Sequence, residues 1–205
     1  MSVSVVQMGP EHLAGVVALQ RSCFPPPFPE EFLWRREHLE RHVLVYPEGQ
    51  FVALDEAGRV VGSASACRIP EDRWRAHLPW EETLGGFFFE GFDRNGSTLY
   101  GADISVHPEH RGRGVGRRLY EARFDLVRKA GLARYGTACR MPDFAARSDE
   151  FAHPAEFARA VQEGRARDRT LTPLLRYGLR LIQVLEDYML DEESGNAAAL
   201  LEWTP

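Results

Sequence analysis

The chain has 205 residues, 44% apolar and 27% charged, the make-up of a folded globular protein and not of a disordered or collagen-like one. Its length favours one to one and a half domains and falls short of an eightfold βα barrel with extras. Thirty acidic against 25 basic residues leave a net charge of −5, which argues against general nucleic-acid binding, because that affinity comes from neutralising phosphates. All the basic residues but Lys129 are arginine, either from codon preference or because some of them mark a site for anions.

The first residues, Met1 to Met8, carry no basic stretch and no long apolar core, and no segment approaches about 18 apolar residues. A cytoplasmic protein without membrane contact is expected. Cys23, Cys67 and Cys139 are odd in number and far apart, which suits reduced thiols. The seven histidines show no metal-binding spacing, so no metal is expected.

In chain order, Val3 and Val5 alternate with polar residues as in a strand, and Gly9-Pro10-Glu11 opens a helix with Leu13, Val16, Val17 and Gln20 on one face. The run Pro25-Pro26-Pro27 with Pro29 reads as a rigid turn, followed by a second helix over Glu30 to His42. Residues 51–54 and 60–69 form a hairpin pattern around Asp55-Glu-Ala-Gly58. Residues 70–97, with Trp74, Trp80 and Phe87-Phe88-Phe89, keep no period. They read as an irregular aromatic insertion, either satellite core or one wall of a pocket.

Thr98 to Val106 alternates, with Tyr100, Ala102, Ile104 and Val106 on one face and Gly101, Asp103, Ser105 and His107 on the other. Val115, Leu119, Ala122, Leu126 and Ala130 make a helical stripe that stops at Gly131. A strand follows over Ala133 to Met141, then a short helix over Pro154 to Gly164, and one capped by Thr172-Pro173 and ended by Gly178. Leu179 to Met189 and Ala197 to Trp203 are the last two strands.

Between the polar-faced strand and the striped helix runs His107-Pro-Glu-His-Arg111-Gly-Arg-Gly-Val-Gly116-Arg-Arg118. Glycines at 112, 114 and 116 let backbone approach a ligand closely, and the helix start offers free N–H groups and a positive dipole end. That is an anion cradle, with four arginines and no acid in residues 111–118. A dinucleotide fingerprint fails because Arg117 stands where its third glycine is needed, and a Walker A loop fails for want of a lysine.

The pattern Arg111-x-x-Gly114-x-Gly116 after Val106-His-Pro108 resembles the signature of the GNAT superfamily of N-acetyltransferases. Thr98-Leu-Tyr-Gly101, Asp191-Glu-Glu-Ser194 and Leu200-Leu-Glu-Trp203 resemble the subgroup found fused ahead of a nitrilase-like carbon–nitrogen hydrolase, although nothing follows Pro205 here. The resemblance implies one α/β (α+β) GNAT domain over residues 1–205, a mixed, mostly antiparallel twisted sheet of about seven strands flanked by helices, with insertions at about 70–97 and 141–170. It implies acetyl-CoA as cosubstrate, held by Ser105, Val106, His107, Arg111, Gly112, Arg113, Gly114, Val115, Gly116 and Arg117, with the thioester in a slot between the strands at 98–106 and 133–141. The implied activity is direct transfer of an acetyl group to an amine of a small molecule or protein in a ternary complex. The alternative is a non-catalytic acyl-CoA sensor, and homodimerisation is left open.

Transfer needs a base for the amine proton near pH 7. Asp103, acting directly or through water, is the first candidate and His107 the second. The family's usual tyrosine acid maps onto Leu174, which leaves Tyr135, Tyr188 or water to protonate the thiolate. Cys139 reads as a small core residue and not as a nucleophile. The carboxylates of the two insertions, Glu71, Asp72, Glu81, Glu82, Glu90, Asp149, Glu150 and Glu156, read as solvated surface more readily than as a site for a cationic amine.

Overall fold

The computed structural model describes residues 3–26 and 28–205; Met1, Ser2 and Pro27, the last of these within the proline run, lie outside them. Seven strands form one sheet in the order β1-β2-β3-β4-β5-β7-β6. They are β1 (Ser4–Gln7), β2 (Gln50–Leu54), β3 (Val60–Ile69), β4 (Thr98–Val106), β5 (Arg134–Arg140), β6 (Arg180–Leu185) and β7 (Ala198–Trp203). Every neighbouring pair is antiparallel except β4 and β5. The expected sheet is therefore the observed one.

The helices are α1 (Leu13–Cys23), α2 (Arg36–Val45), α3 (Glu71–Ala76), α4 (Trp80–Leu84), α5 (Val115–Ala130), α6 (Pro154–Gln162) and α7 (Leu171–Arg176). α5 ends at Gly131 in the left-handed conformation, φ 62°, as its sequence predicts. It lies close to the sheet because β3 is made of small residues: a Cβ at Gly62 would come within 3.1 Å of Val115 and 3.2 Å of Leu119. α1 packs on the opposite face, burying Leu13, Val16 and Leu19.

Three expectations are corrected. The second helix does not span 30–42: a short 3-10 turn over Glu30–Phe32 breaks at Leu33 in extended backbone, and α2 starts at Arg36. The break lets both Leu33 and Trp34 point inward and be buried. The insertion at 70–97 contains α3 and α4, each too short to show a period, and its chain reverses at Gly85 with φ 68°. α7 is held at its start by Asp168, whose Oδ1 accepts the N–H groups of Thr170 and Leu171 at 2.8 and 2.7 Å. Thr172 instead accepts from the Asp168 N–H at 2.9 Å.

The fourth correction concerns β4. Its register against β3 shifts between the pairs Ser65↔Asp103 and Ala66↔Gly101, leaving Ala102 as a bulge. A bulge adds one residue to a strand whose sides otherwise alternate. Tyr100 therefore joins Asp103 and Ser105 on the α1 side, while Leu99 and Ile104 pack toward α5. Strict alternation from Tyr100 through Val106 fails because of that one residue.

Candidate active site

β4 and β5 pair only from Thr98↔Arg134 to Tyr100↔Gly136. Beyond those positions the strands splay, and a cavity of about 180 Å³ opens between Gly101–Ile104 of β4 and Thr137–Arg140 of β5. The bulge lies in its wall. Asp103 sits beside the bulge, where Gln20 of α1 donates to Oδ2 at 3.0 Å and to Ser105 Oγ at 2.9 Å. Ser105 Oγ lies 3.3 Å from the same carboxylate oxygen.

Burial pushes the Asp103 carboxyl up to about 6, against the opposing pull of the Arg123 charge and of hydrogen bonds from Ser105 and Gln20. The Trp34 indole N–H, which has no fixed hydrogen-bond acceptor among the described residues, lines the same cavity. A carboxyl with this value is ionised at neutral pH yet basic enough to take a proton from a nucleophile. Asp103 therefore lies in the cavity wall with its carboxyl raised above the ordinary carboxylate range.

Arg123 explains how the bulge is held. It is fully buried on α5, donates through Nη2 to the carbonyls of Ser65 and Asp103, and through Nη1 to the Tyr135 hydroxyl at 2.8 Å. The two carbonyls flank the shifted register, so one guanidinium satisfies acceptors that the bulge takes out of the ladder. Gly101 is required at this point because a Cβ there would collide with the Tyr135 hydroxyl.

The glycine loop stands at the far end of β4. Gly112 and Gly114 have φ of 72° and 81°, and a Cβ at either would meet nothing within 4 Å. The left-handed backbone and the open space above it are what close approach to a phosphate needs. Gly114 precedes the first turn of α5 without a side-chain cap, leaving those N–H groups to a ligand. Arg111 Nε donates to the Val106 carbonyl at 3.0 Å, Arg117 pairs with Glu121 at 2.9 Å, and Arg118 bonds the Val3 carbonyl.

His107 is not brought to the slot. It caps the 3-10 turn Pro108–His110, with Nδ1 accepting from the Glu109 N–H at 3.4 Å, and its side chain faces a different hollow beside α1 and the β2–β3 hairpin. Tyr135 is bound to Arg123, and Tyr188 lines the cavity with its hydroxyl 2.6 Å from that of Tyr100. Burial pushes both phenols up. Leu174 is buried in the core. Cys139 lines the cavity, but burial raises its thiol pKa, so the thiolate is scarce. None of the insertion carboxylates lines the cavity; Glu71, for example, is held by Arg75 and Arg134.

Residues 13–149 match the profile of the Acetyltransferase (GNAT) family. The chain belongs to that family. It is 34% identical over 188 residues to an uncharacterized N-acetyltransferase of Bacillus subtilis, YkwB, covering 92% of this chain and 82% of that one. It is also 32% identical over 189 residues to the same organism's probable hydrolase YhcX, covering 92% of this chain but 36% of the relative. Among solved structures, a GNAT-like decarboxylase, GphF, in complex with isobutyryl-CoA superposes with a TM-score of 0.82 at 24% identity, covering 98% of both chains. At that identity the likeness speaks for the fold. The chain is an enzyme of the acyl-transferring class.

Sequence reading misses Gln20, Trp34 and Arg123; Trp80 belongs to the insertion read as either satellite core or a pocket wall, and it lines the cavity. Gln20 and Arg123 carry a usable signal, since each is a polar residue on the apolar stripe of its helix. Trp34 carries none, because it stands inside a helical spacing that the fold breaks at Leu33.

Proposed function

We propose that this protein transfers an acetyl group from acetyl-CoA to an amine by direct attack within a ternary complex. The observation that carries the reading is Asp103, a partly buried carboxyl raised to about 6, on the wall of the slot that would hold the thioester. The CoA diphosphate would lie on Arg111 to Gly116 with Arg117 adjoining, and Val106 would run beside the pantetheine arm. Asp103, directly or through one water, would take the proton from the amine nitrogen as that nitrogen attacks the thioester carbonyl. The carbon–nitrogen bond forms, the carbon–sulfur bond breaks, and CoA leaves as a thiolate.

Water is the donor we assign to that thiolate. Tyr135 and Tyr188 are engaged by Arg123 and Tyr100, and a thiolate whose acid has a pKa of about 8.5 takes its proton from solvent at neutral pH. Holding the two reactants in one slot supplies much of the rate. The test is release of CoA thiol from acetyl-CoA across a panel of amines. Release that depends on the amine supports transfer; CoA binding with no release across a broad panel overturns it and favours a sensor.

A further inference from the structure

One side of the cavity is walled by rings. Phe24, Phe28 and Phe32 come from the segment joining α1 to α2, with centroids 4.8 Å and 6.4 Å apart in turn. Trp34 and Trp80 continue the wall with centroids 5.6 Å apart. Trp80 Nε1 donates to the carbonyl of Ala102, the bulged residue, at 3.0 Å. This bond fixes the rings beside the point where Asp103 enters the cavity.

The charges around the cavity are few. Asp103, Arg123 and Arg140 are the charged residues that line it among the described residues. Arg140 is held by Asp191 at 2.6 and 2.7 Å and by Glu193 at 2.9 Å, and its guanidinium covers the Phe28 ring at 5.3 Å. Besides Asp103, then, no carboxylate in the lining is available to receive a second cation, since Asp191 and Glu193 are already taken up by Arg140. The Phe28 face, which could otherwise attract a cation, already carries one.

Size agrees with this chemistry. The cavity volume of about 180 Å³ is close to the roughly 150 Å³ apolar cavity that takes up a benzene ring. Flat rings bury well against aromatic side chains through offset or edge contacts. Resting on the transfer reading above, we propose that the acceptor is an amine carried on an uncharged aromatic body, seated against the wall made by Phe24, Phe28, Phe32, Trp34 and Trp80. The amine nitrogen, which has already lost its ammonium proton to solvent, is placed at Asp103, which takes the second proton as the nitrogen attacks, and the ring lies against the aromatic wall. Polyamines and lysine-rich peptides are the amines this wall rejects.

The experiment measures thiol release from acetyl-CoA with 2-phenylethylamine, tryptamine, ethylamine and spermidine. The expected result is a kcat/KM for the two arylalkylamines at least about tenfold above those for ethylamine and spermidine, in line with what an apolar pocket discriminates. Phe32→Ala and the milder Phe28→Leu, each checked for a native melting transition, should collapse the phenylethylamine-to-ethylamine ratio, chiefly through KM. A preference for spermidine, or a ratio unchanged in both folded variants, overturns the proposal. So does a preference that follows the acyl group, seen as phenylacetyl-CoA outpacing acetyl-CoA with ethylamine. Release with every amine at one rate fails the acceptor class alone, whereas no release with any amine fails the transfer reading and this proposal with it.

Discussion

The two parts of the slot are made from opposite materials. The glycine loop is backbone and positive charge, with left-handed glycines at 112 and 114 and open space above them. The aromatic wall is side chain throughout and nearly uncharged. A loop that works through its backbone tolerates few residue types, so it leaves a fixed spacing in the sequence. A wall of rings can be assembled from any segments that the fold brings together, and it leaves none.

The largest expected effect lies between the two parts. Asp103→Asn should lower the transfer rate at neutral pH by roughly 10²–10⁴-fold, the ordinary contribution of a general base, while CoA affinity measured by calorimetry changes little. Wild-type kinetics would remove Asp103 from the mechanism. At the loop, Gly114→Val should weaken CoA binding by at least about tenfold, since a branched side chain at φ 81° is strained by more than about 1 kcal/mol and stands where the phosphate would approach. Folding should survive, because a side chain there meets no protein atom within 4 Å.

A smaller effect is expected from Arg123→Met. Its charge is the largest influence holding the Asp103 carboxyl down against burial, so its loss should move the acid limb of the rate profile upward from about pH 6. An unmoved limb in a folded variant would separate Arg123 from the base.

The smallest effect is on stability. The Asp103 carboxyl is higher in the fold than its ordinary 3.8, so the native state holds its proton more tightly, and this contribution falls as pH rises from about 4 to 6. His42 has the opposite sign. It is buried under the wall, stacked on Phe89 at 3.7 Å and bonded through Nε2 to the Phe87 carbonyl at 2.7 Å. Burial holds it down at about 3, so its contribution is lost as pH falls from 6.5 toward 3. Denaturant melts between pH 4 and 6 should therefore show stability rising more steeply with pH in Asp103→Asn, and less steeply in His42→Gln, than in the parent chain.

The same contrast governs what the sequence discloses. Strong periods and obligatory caps made α5 and its Gly131 stop readable, fixed spacing disclosed the loop, and the mixed sheet followed from the family resemblance. The bulge at Ala102 has no composition signal of its own; it depends on Arg123 reaching across from another element to satisfy two carbonyls. Trp34 reads as part of a helix because Glu30 to Val43 carries helical spacing, but burial of Leu33 and Trp34 together outweighs that spacing and opens the chain. His107 illustrates the reverse error: sharing a nominal strand face with Asp103 did not bring it to the same cavity.

The parallel seam between β4 and β5 spans three register pairs, fewer than any other junction in the sheet. The sheet divides into two plates, β1 to β4 and β5 to β7, joined along that short seam. A molecule lying in the gap would bear on both plates at once, so occupancy would act as a clasp. Slowed amide exchange along residues 98–100 and 134–136 would then report binding to either part of the slot, even from a ligand that touches none of those six residues.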